Sequence, residues 1–244
     1  MLYYLLPILL QVAIVIHILK TGRNTLWVWL VIFVPMVGAL AYFVVEILPG
    51  LMGSRTVKRT ASTLRRSVDP TRELRQAHKR LAVNDSVDSR RKVADQLLEH
   101  GEYDTAIEHY RAAMTGLYAH EPLLMLGVAK ALFAKGQVTE ARQTLDELIA
   151  NNPDFKSPEG HLLYARALDG EGNTDKALAE YTSLAKYYSG AEAMYRYALL
   201  LKRSGKVDQA TSLLKELLSN AELAGPTFRK EQREWLEAAR KEVG

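Results

Sequence analysis

The chain of 244 residues contains no cysteine, which excludes disulfides and thiolate metal sites without deciding the compartment. No Val/Ile/Thr-rich stretch alternates apolar and polar residues, so strands are not expected. Beyond residue 81 proline and glycine are few. Pro122, Pro153, Pro158, Gly190 and Gly225-Pro226 divide apolar-periodic segments, as helix stops do. Catalytic patterns are missing too. The histidines (His17, His78, His100, His109, His120, His161) are scattered, with no His-x-x-x-His or Glu-x-x-His pair to present two ligands on one helical face. There is no phosphate-cradling glycine loop and no nucleophile elbow. These absences lead us to expect no metal, no cofactor and no enzyme.

What is present is a register. Gly101, Gly136, Gly172 and Gly205 each stand five residues before an alanine (Ala106, Ala141, Ala177, Ala210) and seven after another (Ala94, Ala129, Ala165, Ala198), at steps of 35, 36 and 33 residues. A period of that size is the mark of stacked helix pairs. The small residues fall where paired helices must approach closely, and each glycine ends a first helix in the left-handed conformation. Tyr110, Leu145, Tyr181 and Leu214 are expected to fill the space between successive pairs.

This pattern resembles the tetratricopeptide repeat, including Tyr103 two residues past Gly101 and Pro153 at the end of the second unit. It departs by lacking the early tryptophan, by a longer joint at Thr115–Pro122, and by Ser189-Gly190 where a proline would stand. The expected fold is all-α, with about four repeat-like pairs over 85–222. A C-terminal capping helix over 223–244 carries Phe228, Trp235, Leu236 and Ala239 on one face. A lead-in helix is expected over 70–82. In such repeats first helices line a groove, which places Arg91, Asp95, Leu126, Lys130, Phe133, Leu162, Arg166, Tyr195, Leu199 and Lys202 as candidate peptide contacts. Lys130 and Arg166, in equivalent positions of adjacent repeats, would suit a protein or peptide with acidic and apolar residues. The alternative is that these are ordinary solvated groove residues.

The first fifty residues are of another kind. Leu2–Leu19 and Thr25–Val45 carry no charged side chain, and each is near the ~20 residues that cross a bilayer. Only Lys20-Thr21-Gly22-Arg23-Asn24 separates them, so a two-helix transmembrane hairpin is expected over 1–50. His17, Trp27, Pro35, Gly38 and Tyr42 make this segment resemble the N-terminal membrane segment of cardiolipin synthases and related phospholipase D-type proteins. That family's His-x-Lys signature does not carry over, because no histidine here has lysine two residues on.

Between Leu51 and Arg80 nine basic residues stand against two acidic ones, whereas the chain from Leu81 onward holds 21 basic and 25 acidic residues. A basic linker (51–84) beside the bilayer orients the repeats to the cytoplasmic side of a bacterial inner membrane. It also offers contact to anionic lipid. Nucleic acid is not expected, since no aromatic residue interleaves these charges. The sequence therefore reads as a membrane-anchored scaffold that recruits protein partners. The alternative is a noncatalytic regulatory subunit of a phospholipid-synthesis or envelope enzyme, acting through the hairpin.

Overall fold

A computed structural model describes residues 71–244 and, before them, Val15, Ile16, Ile18, Lys20, Val31 and Asp69. Apart from Val15, Ile16, Ile18, Lys20 and Val31, the expected transmembrane hairpin and the segment likened to cardiolipin synthases lie outside the described residues, as does most of the expected basic linker. Among the described residues no helix is long and apolar enough to cross a membrane. The chain divides into two compact units, 1–72 and 73–244, and the repeats belong to the second.

Every regular element among the described residues is helical. A lead-in helix α1 (Arg72–Val83) precedes four pairs: α2 (Val87–Glu99) with α3 (Tyr103–Ala113), α4 (Pro122–Ala134) with α5 (Val138–Asn151), α6 (Pro158–Gly170) with α7 (Thr174–Leu184), and α8 (Ala191–Arg203) with α9 (Val207–Ala224). The short helices α10 (Pro226–Glu231) and α11 (Arg233–Val243) follow.

Each pair turns on its glycine. Gly101, Gly136, Gly172 and Gly205 have φ of 80°, 89°, 77° and 78°, a region that a Cβ makes unfavourable. In every case the amide just past the glycine reaches back to a carbonyl five residues earlier at 2.9 Å: Glu102 to Leu97, Gln137 to Leu132, Asn173 to Leu168, Lys206 to Leu201. This is the Schellman closure, and the leucines that accept these bonds are themselves buried. The eight register alanines are all buried, together with Tyr110, Leu145, Tyr181 and Leu214. Gly127 supplies the closest approach, because a Cβ there would lie 2.5 Å from the Tyr110 ring.

The first helices start in different ways. Ser86, Glu121 and Ser157 cap α2, α4 and α6 with side-chain oxygens, and Pro122 and Pro158 occupy first-turn positions that need no donor. Gly190 offers α8 no such oxygen. The cap comes from the far end of the chain, where Gln232 Oε1 accepts from the Ala191 amide at 3.0 Å. This contact accompanies a change from the expected single capping helix over 223–244. The second helix of the last pair continues to Ala224, and the remainder breaks at Gln232 into α10 and α11. Leu236 and Ala239 then close the core against Leu214, Leu217 and Ala221, with Phe228 and Trp235 packed around it.

Candidate functional site

The first-helix face carries the residues singled out by register, and most are already engaged. Leu126 and Leu162 are in the core, 5% and 4% exposed, so they are not presented on the first-helix face. Both lie instead on the seam between helices: Leu126 packs with Leu145 and Leu148, and Leu162 with Tyr181 and Leu184. Lys130 Nζ binds Glu159 Oε2 of the next pair at 2.8 Å, and this bond holds the Glu159 carboxyl below its ordinary range. Arg166 reaches Glu192 of the following pair at 3.4 Å and lies over the Phe133 ring, 4.7 Å from its centroid. Arg203 binds both carboxylate oxygens of Asp169 at 2.8 and 2.7 Å. Lys202 pairs with Glu242 of α11 at 2.8 Å, Arg91 with Asp88 at 3.0 Å, and Tyr195 packs on Trp235 at 5.7 Å between ring centroids. Leu199 is half-buried.

Register positions 95 and 166 show how equivalent places diverge. Asp95 accepts a 2.6 Å hydrogen bond from the Tyr110 hydroxyl, which burial and this carboxylate together push well above the usual phenol range. In the third pair the same two places hold Arg166 and Tyr181. Arg166 Nε and Tyr181 Oη are both buried and make no hydrogen bond to another described side chain or backbone group. Burial, and then Arg196 nearby, lowers the Arg166 guanidinium from its ordinary value.

A different place is open. Between α5, α6 and α7 lies an apolar cleft of about 630 Å³. Buried Leu126, Leu145 and Leu148 form its floor, Phe155, Pro158 and Tyr164 its walls, and exposed Ile149 and Tyr187 its rim. The Tyr164 hydroxyl donates to Asp146 at 2.8 Å, and burial with this bond pushes it up to about 12. His161 bridges two rim groups, with Nδ1 against the Tyr187 hydroxyl and Nε2 2.6 Å from Glu180 Oε2. Burial, and then Glu180, raises the Tyr187 hydroxyl.

The cleft has a local cause. Counting back five residues from the register alanine gives Leu124 in the second pair, Gly160 in the third and Ala193 in the fourth. Leu124 is fully buried against the pair before it. Gly160 puts no side chain there, and a Cβ at that position would already stand 3.3 Å from Leu126 Cδ1 on the cleft floor. The recurring alanines and glycine stops do not mark this place. The one signal for the cleft is the leucine-to-glycine exchange between equivalent turns.

Among the described residues no group of three or more His, Asp or Glu side chains could hold a metal ion. The His78 and His109 rings meet edge to face at 6.1 Å, and burial, then His78, depresses the His109 imidazole.

Comparison with known proteins agrees with this architecture. Two tetratricopeptide-repeat family models match residues 97–167 and 162–224. No curated protein matches the sequence. Among solved structures, a MamA fragment from Desulfovibrio magneticus RS-1 has a TM-score of 0.55 at 13% identity, over 66% of this chain and 91% of that one. A thermophilic TPR protein of Thermus thermophilus has a TM-score of 0.54 at 18% identity, over 68% and 88%. Identities this low show the fold alone. The Schellman-closed glycines, the buried alanine register and the two family models together establish residues 97–224 as tetratricopeptide repeats.

Proposed function

We propose that this protein is a membrane-anchored adaptor whose repeats recruit protein partners to the bacterial inner membrane from its cytoplasmic side. The repeat fold carries the protein-binding half of this reading, since stacked helix pairs present extended surfaces rather than reaction centres. The two uncharged runs before Glu46 and the basic segment after Leu51 support the anchoring half. On this reading the array acts by holding a partner, and several of its charged side chains tie one repeat to the next.

The absence of cysteine makes the topology directly testable. A single cysteine at Gly22 is expected to react with an impermeant thiol reagent in intact cells, and one at exposed Ser219 only after lysis. Ser219 is preferable to Gly225, whose φ of 89° disfavours any side chain. Labelling at 219 alone in intact cells overturns the orientation.

The likeness of 10–48 to a lipid-synthase anchor favours a second reading, in which the hairpin itself engages a phospholipid-synthesis or envelope enzyme. Exchanging the hairpin for an unrelated anchor separates the two. A scaffold keeps its partners after the exchange, and a hairpin-dependent regulatory subunit loses them.

A further inference from the structure

We infer that the cleft between α5, α6 and α7, rather than the first-helix face, is where the repeats take a partner, and that it accepts a peptide segment with bulky apolar residues next to an acidic one. This rests on the protein-binding reading above and names the surface and the chemistry it selects.

The apolar part follows from shape and exposure. A cleft of about 630 Å³ falls within the ~300–1,000 Å³ of typical binding pockets, which are mostly apolar with a few placed polar groups. Its rim leaves large apolar surface in water, with Ile149 of α5 53% exposed and Tyr187, in the turn after α7, 51% exposed at the same opening. Covering both together with the cleft floor gives a partner a hydrophobic gain that the polar first-helix face does not offer.

The acidic part follows from charge. Lys156 lines the cleft, is exposed, and makes no ion pair with a described residue. The carboxylate that also lines it, Glu180, is occupied by His161 Nε2. Asp154 is close in sequence but does not line the cleft. His161 occupies an oxygen of Glu180 without cancelling its charge, so the free donor on the rim is the Lys156 ammonium, which has no ion pair among the described residues, and a carboxylate seated on it is the complementary group. The cations of the first-helix face differ in this respect, because Lys130 and Arg166 already meet Glu159 and Glu192. A ligand acid there must displace an internal one.

The test uses the immobilised full chain and a phage-displayed library of short random peptides. Selected peptides are synthesised and titrated against the wild type and three full-length variants. Expected sequences combine Leu, Ile, Phe or Trp with a neighbouring Asp or Glu. Ile149→Asp is expected to raise Kd about tenfold or more by placing a charge on the apolar rim. Lys156→Glu should raise it about two- to fivefold, the worth of one rim ion pair. Lys130→Ala should leave Kd within about twofold, with helical circular dichroism unchanged in all three. Selected peptides that bind both cleft variants as tightly as the wild type overturn the cleft while leaving a protein-binding array in place. Basic or wholly polar selected sequences overturn the stated chemistry. If a well-folded chain selects no peptide at all, the inference and the protein-binding reading both fall.

Discussion

The first-helix face and the cleft between α5, α6 and α7 occupy the same repeat array and use charge in opposite ways. On the face, cations of one pair meet carboxylates of a neighbouring pair: Lys130 and Arg166 reach forward to Glu159 and Glu192, and Arg203 reaches back to Asp169. Charge there ties repeats together. In the cleft, apolar surface is left uncovered and Lys156 meets no carboxylate among the described residues. Equivalent register positions thus reveal which side chains share a face, but a cation's availability depends on what stands opposite it one repeat away.

The contrast between two glycines gives the largest expected effect. Gly127 sits under the Tyr110 ring, so Gly127→Val should destabilise the array by about 3 kcal/mol through overpacking, measured by urea unfolding. Gly160→Ala meets only contacts at 3.3 Å with Leu126 and Ser157 and gains helix propensity, so stability should change by less than about 1 kcal/mol. Equal costs at the two sites would mean that the cleft floor is as tightly packed as the Tyr110 seat.

The double reversal Lys130→Glu with Arg166→Glu is next. It places new carboxylates against Glu159 and Glu192 and removes the cation from the Phe133 ring. A loss of about 2 kcal/mol is expected, because Arg166 and Glu192 are both largely shielded from water. Unchanged stability would show that these pairs do not tie the repeats.

Smaller effects separate equivalent tyrosines. Tyr110→Phe removes the donor to Asp95 and should cost about 1 kcal/mol. Tyr181→Phe removes a hydroxyl without a protein partner and should cost less than about 0.5 kcal/mol. The smallest concerns pH. The His109 imidazole is depressed in the folded chain, so the unfolded chain binds its proton first as pH falls below about 6.5. Stability should therefore decline on acidification from that point, and less steeply in His109→Gln. A steeper decline in that variant would contradict the assignment.

The helix pairs are legible in the sequence because their signals are local and repeated. Each glycine turn closes through its own neighbouring backbone, and each alanine is small for one contact that recurs in every pair. The C-terminal break is not legible, since Gln232 serves an amide 41 residues earlier in sequence and no helical period records such a partner. Counting along the register places Leu126 and Leu162 on the groove, yet one helical position decides between an outward face and the seam against the next helix. The cleft depends on what one turn omits, a leucine replaced by glycine at 160, which a search for recurring residues passes over.

Site-specific photocrosslinking from position 187, compared with position 130, tests most directly which surface holds the partner. The full chain carries a benzoyl-phenylalanine in place of Tyr187 or Lys130 and is irradiated in its native cells. A discrete protein adduct is expected from 187 that Ile149→Asp abolishes, with little or none from 130. An adduct from 130 that persists in Ile149→Asp, with none from 187, would contradict this and return the binding surface to the first-helix face.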